Sequence, residues 1–290
     1  MLSATDLSTY LFCQRKLFLK KVLKLEEPQA PVMLKGSVVH KAIELMLKSE
    51  ENFLINWERD PNVANYMRFT QNQLSTAIHT FRMALKMQSI VPSHMFQDAS
   101  ELIIPFAQTR LEHIKEATEI AKCEQTSVWE ALRPKIKTEY RITSENLQLK
   151  GIIDQLEVHT DKLIPVELKT GATPTEGLFE GHEIQLGSYA VLLENHFGMP
   201  VPFVKIHYLG SQQTRVLPVL QTLKDKVHTI KDKSKDLLLL QTVPERCKEE
   251  SKCNACGLQK QCFNDSWIES KFTNAKTAAE SIKAQPLNSH

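Results

Sequence analysis

The sequence predicts an α/β protein with a helical insertion, and three observations carry this prediction. Short segments with β-type alternation lie between residues 135 and 169 and again between residues 201 and 219. Segments with apolar residues at three- and four-residue spacing, which is typical of amphipathic helices, lie before, between and after them. The chain has 290 residues and is 42% hydrophobic, so it can bury a sizeable core in one large domain or two small ones.

The first helices are predicted from capping and periodicity. Ser3 is followed three residues on by Asp6, and such a pair can satisfy the free backbone N–H groups at a helix start. We expect this helix to run to about Val22. A second helix, from Gly36 to Lys48, places its apolar side chains on one face.

The middle of the chain changes from helical to β-type spacing. Helical periodicity runs from about Asn62 to Arg133, and we expect residues from about 50 to 133 to form a helical insertion. Beyond Pro134, short strands divided by polar turns predict an antiparallel meander. The predicted strands are Lys135–Thr143, Leu147–His159 and Lys162–Lys169.

The last part of the chain is predicted to contain helices, a hairpin, a cysteine-rich segment and a polar tail. The predicted helices are His182–Asn195 and Leu223–Leu240, and the predicted hairpin strands are Val201–Leu209 and Thr214–Val219. The cysteine-rich segment covers residues 244–265. Residues 266–290 are rich in Lys, Ala, Ser and Asn, and we expect a disordered tail there.

The overall composition does not indicate the function, but it limits the class of protein and the cellular compartment to be expected. The net charge is +2 and the pI is near 8.1, which is too mild to indicate a nucleic-acid partner. No segment approaches the roughly 20 apolar residues of a membrane span, and the first residues lack a basic-then-apolar leader. We therefore expect a cytoplasmic protein with no membrane partner. Cytosolic thiols stay reduced, so the six cysteines favour metal binding over disulfides.

Two acids on neighbouring predicted strands are the candidate catalytic residues. Asp154 ends the run Gly-Ile-Ile-Asp, and Glu167 and Lys169 lie in Pro-Val-Glu-Leu-Lys. Adjacent strands would bring Asp154 and Glu167 together, and the two-residue period puts Glu167 and Lys169 on one face. A single match of this kind usually marks solvated residues on half-buried strands, so the interpretation depends on support from elsewhere in the chain.

A divalent cation would suit this pair of acids. Mg²⁺ or Mn²⁺ prefers oxygen ligands and keeps several waters, so two carboxylates and one further ligand suffice when a phosphate completes the shell. The cation would lower the pKa of a bound water and neutralise charge on the phosphate, and Lys169 could orient that water. The implied chemistry is hydrolysis of a phosphodiester.

Two further motifs supply side chains for the same site. His40 ends the run Gly-Ser-Val-Val-His at the start of the second predicted helix, where an imidazole could reach the cation. Gln185 and Tyr189 lie at positions i and i+4 of a later helix and face the same way. The ordinary alternative for each of these residues is a place on a helix surface or in the core.

The cysteines indicate a second site. Cys253, Cys256 and Cys262 have the spacing Cys-x2-Cys-x5-Cys. With Cys247 they could form a closed zinc site.

Together these motifs resemble a known superfamily. The order G-x-x-x-H, G-I-I-D, E-x-K, Q-x-x-x-Y is similar to the RecB-like branch of the PD-(D/E)XK nucleases. The resemblance implies a restriction-endonuclease-like core with a mixed central sheet. It also implies that His40, Asp154 and Glu167 are metal ligands and that Lys169 is the catalytic lysine. Gln185 and Tyr189 are the implied substrate-side residues.

The cysteines narrow the resemblance to the CRISPR-associated exonuclease family called Cas-four, over most of residues 1 to 263. It implies that a [4Fe–4S] cluster is bound by Cys13, Cys253, Cys256 and Cys262, and that the enzyme trims DNA ends before they are inserted as new spacers. We therefore favour the cluster over zinc. The nuclease domain is expected to cover residues 1–265.

The expected function is that of a metal-dependent DNA exonuclease or endonuclease that acts on single-stranded or frayed DNA ends and processes prespacers for CRISPR adaptation. Its expected partners are DNA and CRISPR integrase subunits. One alternative is a subunit of an integrase complex that binds and measures DNA, with little nuclease activity. Another is a stand-alone RecB-like repair or recombination nuclease.

Overall fold

The fold is built on one mixed sheet. The computed structural model describes residues 1–57, 62–240 and 242–283. Its six strands are β1 (Leu2–Ser3), β2 (Lys135–Ser144), β3 (Leu149–Val158), β4 (Leu163–Lys169), β5 (Phe203–Tyr208) and β6 (Gln213–Pro218). The order is β1-β3-β4-β5-β6, with β2 also paired to β3; the β1–β3 and β4–β5 pairs are parallel and the others antiparallel. The predicted mixed sheet, meander and hairpin are confirmed.

Helices cover both faces of this sheet. They are α1 (Ala4–Phe12), α2 (Gln14–Lys21), α3 (Pro31–Lys48), α4 (Glu50–Trp57), α5 (Val63–Thr80), α6 (Arg82–Met87), α7 (Pro92–Glu124), α8 (Val128–Ala131), α9 (Glu180–Phe197), α10 (Gln221–Leu238), α11 (Glu250–Asn254), α12 (Gln259–Cys262) and α13 (Asp265–Lys283). Within the described ranges, no helix is both long enough and apolar enough to cross a membrane.

Two hydrophobic cores hold the layers together. On one side, Val166 and Leu168 of β4 pack with α3, α5 and α7. On the other, Ile153 and Ile206 pack with α9, whose Tyr189 is 1% exposed. Burial of each such aliphatic side chain contributes about 1.5–3 kcal/mol, so the two cores fix the strands that carry the candidate site.

The first helix begins as predicted but ends early. The Ser3 hydroxyl accepts a hydrogen bond from the backbone N–H of Asp6 (3.1 Å), and the Asp6 carboxylate accepts one from Ser3 N–H (2.7 Å). The single helix expected to reach Val22 is divided at Cys13. This residue has extended backbone, and its sulfur accepts the N–H of Lys16 at the start of α2. The break therefore places the Cys13 sulfur at a helix start.

The predicted insertion is helical and is fastened by a buried ion pair. Residues 50–133 contain α4 to α8, with residues 58–61 outside the described part. Arg110 of α7 donates two hydrogen bonds to the Glu50 carboxylate (2.9 and 2.6 Å) and a third to the carbonyl oxygen of Pro134 (3.2 Å). The two side chains are 3% and 2% exposed. These contacts join two insertion helices to the start of β2.

The polar tail differs from its prediction. Residues 266–283 belong to α13 instead of a disordered segment, and residues 284–290 lie outside the described part. Ile268 is fully buried beside Leu19 of α2, and the Phe272 ring lies 5.3 Å from that of Phe18. Ile268 and Phe272 are four residues apart, so they form an apolar stripe on one face of the helix. The polar composition of the whole segment did not indicate this stripe. The predicted domain end at residue 265 therefore coincides with the start of a helix that packs on the rest of the chain.

Candidate metal centre and cysteine pocket

The end of the β3–β4 ladder positions Asp154. The two strands pair from Val158 with Leu163 to Gln155 with Val166. At the next step the Asp154 carboxylate accepts the backbone N–H of Leu168, at 2.8 Å. Because the side chain takes the place of a backbone partner, the acid is held against the strand that carries Glu167 and Lys169.

A histidine and a second acid lie beside Asp154. The Nδ1 atom of His40, on α3, lies 3.4 Å from Asp154 Oδ1. Glu139, on β2, completes a group of three whose ligand atoms lie within 4.8 Å of one another. An imidazole and two carboxylates at this spacing are a fitting ligand set for a divalent cation.

Glu139 was not among the residues predicted for the site. Its backbone φ is +48°, which interrupts the regular alternation of β2. Thr138 pairs with Gln155 and Tyr140 with Ile153, so Glu139 lies level with Asp154 on the neighbouring strand. Counting outward from the predicted turn would have placed Glu139 opposite Gly151; the observed register, in which Ser144 pairs with Leu149, brings it level with Asp154.

Glu167 faces the same cleft from β4 but is held by side chains of its own strand and of α9. Lys169 Nζ donates to Glu167 Oε1 (2.6 Å) and to Gln185 Oε1 (3.1 Å). Gln185 Nε2 donates to Glu167 Oε1 (2.8 Å), and the Tyr189 hydroxyl donates to Glu167 Oε2 (3.0 Å). Gln185 and Tyr189 are 6% and 1% exposed. Their contacts therefore orient Glu167. The sequence predicted that these two residues face the substrate and did not predict this orienting role.

Electrostatics in the cleft favour a cation. Burial, together with the Asp154 charge, raises the pKa of Glu167 to about 6. Burial and the Asp154 charge also raise the pKa of Glu139. Burial lowers the pKa of His40, but its hydrogen bond to Asp154 and the charges of Asp154 and Glu167 outweigh this effect, so the net shift is upward. Clustered negative charge contributes to each of the three shifts, and a divalent cation would neutralise that charge.

The cleft is open enough to admit a polymer. It has a volume of about 580 Å³ and is lined by residues of α3, β2, β3, β4 and α9. All six residues predicted from the motifs, which are His40, Asp154, Glu167, Lys169, Gln185 and Tyr189, line it. A cation held there would have open space on the solvent side for a phosphate group.

A separate pocket collects the cysteines at the α1–α2 break. It is lined by the four predicted ligands and by Cys247; the four are Cys13, Cys253, Cys256 and Cys262. Thiol sulfurs gathered in this way are donors of the type that both zinc ions and iron–sulfur clusters use.

Three comparisons with known proteins show what this chain is similar to. The family model of the PD-(D/E)XK nuclease superfamily matches residues 1–263. A "CRISPR-associated exonuclease Cas4/endonuclease Cas1 fusion" from Leptospira interrogans serogroup Icterohaemorrhagiae serovar Lai (strain 56601) is 29% identical over 128 residues, which are 43% of this chain. The match spans 24% of that relative's length. The solved structure described as "Crystal structure of SSO0001" is 16% identical, with a TM-score of 0.32 over 85% of this chain and 94% of that one.

The family match covers the strands that carry the acids, the helix that carries His40 and the cysteine segment. PD-(D/E)XK nucleases use divalent metal ions, and the cleft contains an acidic group suited to one. The chain belongs to the PD-(D/E)XK nuclease superfamily.

Proposed function

We propose that this protein is a metal-dependent deoxyribonuclease that trims single-stranded or frayed DNA ends. The observation that carries the proposal is the convergence of His40, Glu139 and Asp154 beside the Glu167–Lys169 pair in one open cleft. His40, Asp154 and Glu167 are the proposed ligands of Mg²⁺ or Mn²⁺, and Glu139 joins them. The cation would supply charge neutralisation at the phosphate and activation of a water.

The chain's own residues prepare the cleft for this chemistry. Asp154 keeps one oxygen engaged by Leu168 N–H and turns the other towards His40. Glu167 accepts hydrogen bonds on both oxygens, which fixes the orientation of its carboxylate. Lys169 brings a positive charge to the cleft wall, where its ammonium group would contact a phosphate oxygen or orient the attacking water.

We propose a [4Fe–4S] cluster on Cys13, Cys253, Cys256 and Cys262. Such a cluster would join the α1–α2 break to the segment that holds α11 and α12, and this closure restricts the unfolded chain. Arg15 supports the same junction without a cofactor, since it donates to the carbonyl oxygens of Pro244 (2.8 Å) and Cys262 (3.2 Å). Zinc at these cysteines is the alternative.

A role in CRISPR adaptation, with integrase subunits as partners, is proposed from the relative that joins Cas4 and Cas1 in one chain. A stand-alone repair or recombination nuclease is the alternative, and genes neighbouring this one would separate the two.

The test of the proposed activity is cleavage of end-labelled DNA in Mg²⁺ or Mn²⁺, with single-stranded, forked and blunt duplex substrates compared. We expect the wild-type protein to degrade the first two. Lys169→Ala should lose activity, whereas Lys162→Ala, in the turn between β3 and β4, should not. Equal activity of the wild type and Lys169→Ala would contradict the proposal.

A second candidate function is supported by the same Cas1 fusion. The protein would then select or measure DNA for an integrase and cleave little or none. This function predicts co-purification with integrase subunits and DNA affinity that Lys169→Ala leaves unchanged, without metal-dependent degradation by the wild type.

A further inference from the structure

A second cavity lies between α7 and the sheet, separate from the metal centre. Its volume is about 270 Å³, and none of its described lining residues also lines the cleft that contains Asp154. A single buried water needs only about 10–15 Å³ of such space. The cavity is therefore large enough for an organic ligand of several ring atoms.

Three buried polar atoms in the cavity wall have no partner among the described residues. They are Gln155 Nε2, His113 Nδ1 and His207 Nε2. Gln155 is 4% exposed, so its amide is almost completely shielded from bulk solvent. An unsatisfied buried polar group costs about 1–3 kcal/mol, so each of the three would be stabilised by a hydrogen bond to a ligand in this space.

The cations of the cavity are already paired. Arg110 is bound to Glu50, and Lys205 donates to both oxygens of Glu157 (2.9 and 2.8 Å). Burial is the largest influence on the pKa of His207 and lowers it, so this imidazole is neutral near pH 7. Burial and the Arg110 charge lower the pKa of His113 as well. The groups left to bind a ligand are therefore neutral donors and acceptors, which do not select an anion.

The walls are apolar and partly aromatic. Phe106, Ile136 and Val166 supply apolar surface, and the ring of Phe106 meets that of His207 edge to face at 6.1 Å. A flat heterocycle with carbonyl and N–H groups at its edge would satisfy the free amide and imidazole nitrogens while its faces contact these walls. Proteins read unstacked nucleobases in this manner, by edge hydrogen bonds and apolar or aromatic faces.

We propose that this cavity binds one nucleobase, with Gln155, His113 and His207 contacting its polar edge. The choice of ligand rests on the proposed deoxyribonuclease function, because such an enzyme releases nucleotides and meets unstacked ones. Gln155 directly follows Asp154, and Val166 directly precedes Glu167. An occupant would therefore contact the same two strands that carry the metal-centre acids.

The test is calorimetric titration of the full-length protein in EDTA with each of the four deoxynucleoside 5′-monophosphates. Deoxyribose 5-phosphate serves as the base-free control. We expect saturable binding of at least one monophosphate and none of the control. Gln155→Leu, which removes the amide, and Thr109→Tyr, which adds a bulky side chain at an exposed cavity-lining position of α7, should each weaken binding by about tenfold.

Asp154→Asn separates this inference from the proposed function. It should abolish cleavage yet leave nucleotide binding in EDTA unchanged, so either idea can fail alone. Absence of binding by all four monophosphates at millimolar concentration, or affinity that neither Gln155→Leu nor Thr109→Tyr alters, would overturn the cavity proposal.

Photo-crosslinking distinguishes the two sources of the base. Free 5-iodo-deoxyuridine monophosphate and a single-stranded oligonucleotide that contains 5-iodouracil are irradiated with the protein, and the crosslinked peptides are identified by mass spectrometry. A crosslink to Phe106 or His207 from the oligonucleotide alone assigns the cavity to a base within DNA. The same crosslink from the free compound assigns it to a soluble nucleotide. If thymidine monophosphate binds in the titration, the absence of a crosslink to the cavity from either compound would overturn the proposal.

Discussion

The carboxylate of Asp154 accepts the backbone N–H of Leu168 at 2.8 Å, at the point where backbone pairing between β3 and β4 ends. One hydrogen bond thus joins the Gly-Ile-Ile-Asp strand to the Glu-Leu-Lys strand. It places Asp154 between His40 on one side and Glu167 on the other. The predictions below follow from this arrangement and from the contacts that surround it.

Glu139 is expected to contribute to cation binding. Because its ligand atom lies within 4.8 Å of those of His40 and Asp154, Glu139→Gln should weaken Mn²⁺ binding by about tenfold or more. Titration with Mn²⁺, followed by electron paramagnetic resonance of the free ion, measures this. Glu145→Gln, an exposed change in the turn after β2, is the matched control and should bind like the wild type. Equal affinity of the two variants would remove Glu139 from the site.

The buried charge of Glu167 should make metal-free stability depend on pH. Its pKa is raised from 4.5 to about 6, so the folded state holds this proton more tightly than the unfolded state. The contribution to stability is therefore present below pH 4.5 and is lost as the pH rises through about 6. Glu167→Gln carries no such charge. In EDTA, its Tm relative to the wild type should rise between pH 4.5 and pH 7, and a constant difference would contradict this.

The cysteine ligands can be separated by single substitutions. Cys13→Ser and Cys256→Ser should lose the brown colour and the iron, which we expect at about four atoms per chain in anaerobically purified wild-type protein. Cys123→Ser, at an exposed position on α7, is the control. Cys247→Ser should keep its iron. If Cys247→Ser loses metal while Cys13→Ser keeps it, or if the wild type contains stoichiometric zinc and no iron, the proposed cluster is wrong.

Removing one partner of the buried ion pair between Arg110 and Glu50 should strongly lower the stability of the folded protein. Arg110→Met leaves a buried carboxylate without its partner, and we expect the free energy of unfolding to fall by about 3–5 kcal/mol. The double variant Arg110→Met with Glu50→Leu should recover most of this loss. Lys115→Met, which breaks the exposed pair with Glu112, should cost no more than about 1 kcal/mol. Urea unfolding followed by circular dichroism measures all three.

Much of the site could be predicted from the sequence because local rules determine it. The two-residue strand period and a short meander bring Asp154 and Glu167 to neighbouring strands, and helical spacing of four brings Gln185 and Tyr189 to one side. Glu139 escaped prediction because its positive φ breaks the strand pattern and it belongs to no motif. Its place beside Asp154 depends on the register in which β2 pairs with β3, and the sequence of β2 alone does not determine that register.

The parts of the fold that sequence reasoning missed depend on contacts between distant segments. The break at Cys13 depends on a sulfur that accepts the N–H of Lys16, and helix α13 depends on packing of Phe272 against Phe18. Neither contact produces a strong local sequence pattern, because the composition of a segment carries no information about the surface on which the segment packs.

The central claim is that Asp154 belongs to a cation site at which DNA is cleaved, and the most direct measurement compares Asp154→Asn with Asp161→Asn. Both are Asp-to-Asn changes, and Asp161 lies exposed in the turn after β3. With Mn²⁺ and labelled single-stranded DNA, Asp154→Asn should lose about 10²-fold or more in cleavage rate while its circular dichroism spectrum stays that of the wild type. Asp161→Asn should cleave like the wild type. Cleavage by folded Asp154→Asn at the wild-type rate would contradict the account.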